Sequence, residues 1–228
     1  MRLLVSPRDI DEAKRSLAAD IIDVKRPAEG SLGANFPWVI RAITELSHKP
    51  VSAAIGDFDF RPGGASLAAY GAAHAGADFV KVGLMFDGTT RAAEFIRAVV
   101  RAVKDEFPEK YVVIASYSDY ERLGTISPFA MSPLAAAAGA DVAMVDTGIK
   151  DGKSTFDFMT EESLREFTVM NRDAGMMTAL AGSLGFDHLP ALKRIDPDII
   201  GVRGMVCGGN RDASIREDLV DQLVRMVG

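Results

Sequence analysis

Gly76-Ala77-Asp78-Phe79-Val80-Lys81-Val82-Gly83-Leu84 decides the fold of this chain, because its construction returns at three other places. Ala19-Asp20 leads into Ile21-Ile22-Asp23-Val24-Lys25, and Gly139-Ala140-Asp141 leads into Val142-Ala143-Met144-Val145-Asp146. Pro197-Asp198 leads into Ile199-Ile200-Gly201-Val202-Arg203. A helix closes, often on glycine, an aspartate follows, and a short apolar run begins. Runs of this length and composition, alternating with segments of helical periodicity, read as strands of a parallel sheet covered by helices.

Working outward, the four runs become strands 21–25, 79–82, 142–146 and 199–203. Four more apolar runs alternate with them at 3–5, 51–55, 112–115 and 177–181. Helical periodicity is found over 9–18, 37–46, 65–75, 90–106, 128–138, 161–174, 190–194 and 214–227. Eight strand-helix units, with the aspartate signal before every even strand, predict a closed α/β fold, a single (β/α)8 TIM barrel of residues 1–228. An open doubly wound sheet is the alternative, but it usually has fewer strands, and no glycine-rich nucleotide fingerprint follows the first run.

Composition agrees with one globular domain: of 228 residues, 48% are hydrophobic and 25% charged. The net charge of −6 argues against general attraction to nucleic acid or anionic lipid, so an anionic substrate needs a locally basic pocket. Cys207 is the single cysteine, the start MRLLVSPRD lacks a signal-peptide pattern, and no apolar run approaches the ~20 residues that span a bilayer. A soluble cytoplasmic protein with no nucleic-acid or membrane partner is expected.

The repeated aspartates also set a register. Lys25, Asp146 and Arg203 stand five positions after Asp20, Asp141 and Asp198, and Gly83 holds the equivalent place in the fourth strand. Two residues earlier come Asp23, Lys81, Met144 and Gly201, which the two-residue strand period turns to the same side. Layers inside such barrels draw on alternate strands, and active sites occupy the strands' C-terminal ends. Charged groups converging there point to a site rather than to a core, since burying charge is costly. The bland alternative is that they pair with one another or snorkel outward beneath the helices.

An attacking lysine must be neutral, so its pKa must fall below the ordinary value of about 10.4. Burial and the nearby cation Lys81 lower the pKa of Lys25; the carboxylates Asp23 and Asp146 raise it. At the ends of the last two strands, Gly182 and Ser183 and then Arg203 and Gly204 offer backbone N–H groups and a guanidinium, where many barrels hold phosphate. Ser6 and Asp57 lie at the same face and suit either substrate contact or ordinary turns. Phe36, Pro37 and Trp38 read equally as a lid or a subunit contact. His48, His74 and His188 have no metal-site spacing, and Cys207 reads as a small apolar filler.

The strings ADIIDVKRPAEGSLGANFPWVI, GADFVKVGL, GADVAMVDTGIKDGKSTFDF, ALAGSL and DIIGVRG occur in that order, and together the chain resembles the (5-formylfuran-3-yl)methyl phosphate synthases of methanofuran biosynthesis, essentially end to end. The resemblance implies a lyase that condenses two molecules of glyceraldehyde 3-phosphate with loss of phosphate and water, through a lysine Schiff base and with no metal or organic cofactor. It implies Lys25 as the Schiff-base residue, Lys81 as proton acceptor, and Asp23, Asp146 and Lys150 as supporting members. Lys150 lies on a loop, where an exposed lysine is the ordinary expectation. Self-association into a homo-oligomer is implied as well. A class I aldolase or related triose-phosphate lyase is the nearest rival, and a non-enzymatic phosphate sensor is the rival of a different class.

Overall fold

The computed structural model describes Met1–Gly228 and closes eight parallel strands into one barrel in sequence order, β1 pairing with β8. The strands are β1 (Arg2–Val5), β2 (Ile21–Val24), β3 (Val51–Phe58), β4 (Phe79–Leu84), β5 (Tyr111–Tyr117), β6 (Val142–Asp146), β7 (Met177–Leu180) and β8 (Ile199–Val202). The main covering helices are α1 (Ile10–Lys14), α2 (Pro37–Leu46), α3 (Pro62–His74), α4 (Thr89–Lys104), α6 (Pro128–Ala138), α7 (Glu161–Asp173), α8 (Leu189–Ile195) and α9 (Glu217–Val227). A four-residue helix, α5 (Tyr120–Leu123), follows β5 and has no counterpart in the sequence reading.

The repeated aspartates have a structural cause beyond closing helices. The Leu3 N–H donates to Asp20 at 2.8 Å, Val51 to Asp78 at 2.8 Å, Val112 to Asp141 at 2.7 Å and Thr178 to Asp198 at 2.8 Å. Each carboxylate before an even strand therefore caps the start of the preceding odd strand, satisfying an edge donor and helping fix the register of that pair. This is why the signal has a period of two units.

Two apolar layers fill the fold. Helix-facing residues such as Val5, Ile22, Val80, Phe95, Val112 and Phe167 form the larger one between barrel and helices. Inward-facing Leu4, Ile21, Phe79, Val113, Val142, Met144, Ala179 and Ile199 form the smaller one inside the barrel. Each buried aliphatic or aromatic side chain contributes about 1.5–3 kcal/mol of transfer free energy. At the N-terminal end the barrel is closed by Phe79 stacked on Tyr111, while Arg2 lies over the Phe79 ring.

Several boundaries differ from expectation. The first helix ends at Lys14 rather than 18, because the Ser16 hydroxyl donates to the Glu12 carbonyl and the Ser16 N–H to Ala13, tightening the last turn. The last helix begins at Glu217 rather than 214, since the Arg216 N–H is held by the Val206 carbonyl. Strands β3 and β5 run two or three residues beyond 55 and 115, which carries Asp57 and Tyr117 to the barrel mouth. Strands β2 and β8 stop one residue earlier, so Lys25 and Arg203 sit just past the strand ends. No helix is long and apolar enough to cross a membrane.

Candidate active site

A cavity of about 590 Å³ opens at the C-terminal ends of the strands. Ser6, Asp23, Lys25, Lys81, Asp146 and Lys150 line it together with Gly182, Ser183, Arg203 and Gly204, which follow β7 and β8. The structure thus gathers every charged residue singled out by register or resemblance into one space. Asp57 lies outside it, and Phe36 and Trp38 stack on one another at 4.5 Å without reaching it.

The deepest charges form a sealed pair. Lys81 donates to both oxygens of Asp23 at 2.8 Å, with the lysine side chain 1% exposed and the aspartate 0%. Ser52 donates to Asp23 Oδ1 at 2.7 Å and Ser6 to Oδ2 at 2.8 Å, so the carboxylate is surrounded by donors. Burial pushes Asp23 upward, but the ammonium groups of Lys81 and Lys25 and the Lys81 and Ser52 hydrogen bonds outweigh it, leaving a net shift downward.

A second pair stands at the rim. Lys150 Nζ donates to Asp146 Oδ1 at 2.6 Å and to Thr147 Oγ1 at 2.9 Å, and the Thr147 N–H also donates to Asp146 Oδ1 at 2.7 Å. Burial raises the Asp146 pKa, whereas Lys150, Lys25 and Lys81 lower it further than burial raises it.

Lys25 belongs to neither pair. It is buried, and that burial drives its pKa down; Asp146 raises it, Lys81 lowers it, Asp23 raises it and Lys150 lowers it, with the balance at about 8. Two like charges and two opposite charges nearly offset one another, so desolvation decides the sign. The lowering moves the amine toward the neutral form that a nucleophilic lysine requires.

The loop following β2 roofs the opposite half of the barrel. Leu32 is fully buried and joins the interior layer; its N–H donates to Asp57 at 3.0 Å, and the Ser31 hydroxyl donates to the Thr147 carbonyl at 2.8 Å. Tyr117 donates a hydrogen bond to the same Asp57 carboxylate, and burial followed by the Asp57 charge pushes the phenol well above its usual range. This cluster explains Gly83, the apparent gap in the charged register. A Cβ there would stand 2.0 Å from the Tyr117 hydroxyl and 3.1 Å from Leu32 Cδ1, so a side chain from β5 and one from the loop occupy its place.

At the other side of the mouth, Gly182 (φ +95°) and Ser183 (φ +49°) both adopt left-handed backbone. A Cβ on Gly182 would meet Thr155 Oγ1 at 2.3 Å, so the position admits glycine alone. The turn makes one edge of a cradle in the cavity, which is also lined by the start of a 3-10 helix at Gly204–Cys207 whose first N–H groups have no partner within the helix. Arg203 stands behind rather than in the cradle. Its Nε donates to the Arg211 carbonyl, Nη1 to the Ser6 carbonyl and Glu12, and Nη2 to Glu12 and the Ala213 carbonyl, which uses all five donors.

Sequence reasoning missed Ser52, Leu32, Tyr117 and Thr147. Ser52 and Tyr117 lie on strands, and extending the two-residue alternation through β3 and β5 reaches them; Leu32 and Thr147 are loop residues whose roles carry no spacing signal. No group of three or more His, Cys, Asp or Glu side chains is placed to hold a metal ion.

Fold and site together define the class: a (β/α)8 barrel with a lysine-carboxylate cavity at the C-terminal ends of its strands, the face that carries the active sites of such barrels. Comparison with known proteins narrows this. The 4-HFC-P synthase family model matches residues 3–224, and the chain belongs to that family. It is similar to the (5-formylfuran-3-yl)methyl phosphate synthase of Methanosarcina acetivorans, 58% identical over 98% of each chain. It is also similar to the synthase of the same name from Archaeoglobus fulgidus, 51% identical over 100% of this chain and 99% of that one. Among solved structures, orotidine 5'-monophosphate decarboxylase from Methanocaldococcus jannaschii, complexed with the inhibitor BMP, superposes with a TM-score of 0.69 at 17% identity, covering 100% of this chain and 98% of that one, a likeness of fold.

Proposed function

We propose that the protein is a lyase of methanofuran biosynthesis that makes (5-formylfuran-3-yl)methyl phosphate from two molecules of glyceraldehyde 3-phosphate, through a Schiff base on Lys25. The observation that carries this reading is the amine of Lys25: buried, in neither ion pair, with a pKa of about 8, inside the cavity that both lysine-aspartate pairs face. Membership of the 4-HFC-P synthase family supports the product.

Neutral Lys25 adds to the aldehyde of one triose phosphate, and loss of water gives the iminium. The iminium acidifies the neighbouring carbon, whose proton passes to the Lys81–Asp23 pair. Phosphate then leaves with its C–O bonding electrons, and the enol that remains is nucleophilic at its terminal carbon. The branched skeleton of the product requires that carbon to join the central carbon of the second triose, which is first isomerised to the ketone: its C2 proton is taken up by the Asp146–Lys150 pair and returned to C1 through the enediol, with no net change in atoms. Ring closure, two dehydrations and hydrolysis of the iminium release the furan and regenerate Lys25. The balance is two triose phosphates to one furan phosphate, one inorganic phosphate and two waters. The phosphate that stays bound is held by the N–H groups of Gly182, Ser183 and Gly204, while Arg203, neutralised by Glu12, braces the surrounding backbone from behind. Asp146 and Lys150 hold and return protons during carbinolamine dehydration and ring closure.

Borohydride added during turnover of glyceraldehyde 3-phosphate is expected to fix mass on the peptide containing Lys25, alongside a furan chromophore and inorganic phosphate. An adduct elsewhere rejects the residue; a simple sugar phosphate as product returns the aldolase reading.

A further inference from the structure

Lys150 sits on a loop, yet its ammonium is held within 2.6 Å of Asp146, so something must fix the loop. The fixing comes from the segment just after β5, which nothing in the chemistry above uses. Asp119 is 1% exposed and spends both carboxylate oxygens on consecutive backbone donors: Gly148 N–H at 2.7 Å and Ile149 N–H at 3.0 Å. Two adjacent N–H groups gripping one carboxylate make a strong, directional tie. The Asp119 carbonyl also accepts from Arg122 and Leu123, which winds α5. That helix turns Leu123 onto Gly148, so closely that a Cβ on the glycine would stand 2.4 Å from Leu123 Cδ1. Arg122 then donates to Asp151 at 2.8 Å, on the far side of Lys150. The loop is thus fastened immediately before and immediately after the lysine by three neighbouring residues of one short segment.

We propose that segment 119–123 is a clamp, with Asp119 as its principal positioning residue, that presses Lys150 onto Asp146 and so prevents Asp146 from acting as the full counter-ion of Lys25. This rests on the Lys25 reading. The groups facing Lys25 are Asp23 from β2, Lys81 from β4, Asp146 from β6 and Lys150 from the loop after it. Releasing Lys150 removes a cation that favours the neutral amine and frees a carboxylate that favours the charged one. Both changes act in the same direction, toward an amine that stays protonated to higher pH.

The test is a double-mutant cycle on the full chain, read as furan formation from glyceraldehyde 3-phosphate across pH. Asp119→Asn is expected to move the acid limb of the kcat profile, along which activity rises with pH, up by ~1 pH unit, lowering kcat at pH 7 about tenfold while KM changes little. In a Lys150→Ala background the same substitution should add less than about twofold, because the residue it acts through is already gone. Should Asp119→Asn be poorly folded by thermal melting, Arg122→Ala, which removes only the exposed half of the clamp, is expected to shift the limb in the same direction by less. An unshifted limb in the folded variants, or a loss in the Lys150→Ala background equal to that in the native one, overturns the proposal. A borohydride adduct on a lysine other than Lys25 in the native protein would bring down the Lys25 reading separately, since the cycle is scored on turnover whichever amine is labelled.

Discussion

The two lysine-aspartate pairs have the same chemistry and opposite settings. Lys81 and Asp23 both come from strands and are 1% and 0% exposed, and the carboxylate accepts four hydrogen bonds, two from Lys81 and one each from Ser6 and Ser52. Lys150 comes from a loop, is 18% exposed, and meets an Asp146 whose charge Lys25 also feels. A sealed pair cannot lose one member without leaving an uncompensated charge, whereas a rim pair can part and let water in. The first is fitted to pass a proton without leaving its place, and the second depends on how the loop that carries Lys150 is held.

The sharpest way to break this contrast is to remove each lysine in turn. Lys81→Met is expected to cost about 3–5 kcal/mol of stability in urea unfolding, because the buried Asp23 loses the ammonium that donates to both its oxygens, and to abolish turnover. Lys25→Met should be equally inactive yet more stable. The folded amine titrates at about 8 and the unfolded one near the ordinary lysine value, so between those pH values the unfolded chain holds more protons and stability rises with pH. Below about 8 both states are protonated and the whole penalty stands; removing the amine relieves up to about 3 kcal/mol at pH 7. A Lys25→Met protein that is less stable than the native one would show that the surrounding carboxylates need the amine more than burial penalises it.

Gly83→Ala tests the roof above Lys81. Its methyl group collides with the Tyr117 hydroxyl, and overpacking of this kind costs about 1–3 kcal/mol, readable as a lower melting temperature. The smallest stability effect is expected for Lys150→Met, about 1 kcal/mol or less, since the pair is partly exposed and Lys25 remains beside Asp146. Its signature is in the pH profile instead: the midpoint of borohydride trapping on Lys25 moves up, while Asp146→Asn, which deletes the largest influence raising the Lys25 pKa, moves it down. Shifts of the same sign in the two variants would contradict the opposed roles assigned to them.

Much of this was legible before any coordinates. The repeated aspartates located the even strands because each one caps a neighbouring strand, a local requirement that leaves a fixed residue type at a fixed place. Asp23, Lys25, Lys81 and Asp146 followed, since side chains two apart on a strand must share a face. Arg203 was found by the same register but not its surroundings: Glu12, which absorbs its guanidinium, lies 191 residues away. Asp57, Tyr117 and Leu32 come from separate elements and form a cluster only when the mouth closes over them.

By itself the sequence determined the strand count, the closure of the barrel and the inward direction of the charged residues, because strand period and capping act over a few positions of chain. Tertiary structure alone decided which lysine is paired, which is free, and how far burial lowers its pKa. Those outcomes depend on distances between residues on different strands and on the exclusion of water, and Coulomb energy and desolvation change over a few ångströms that no spacing along the chain records.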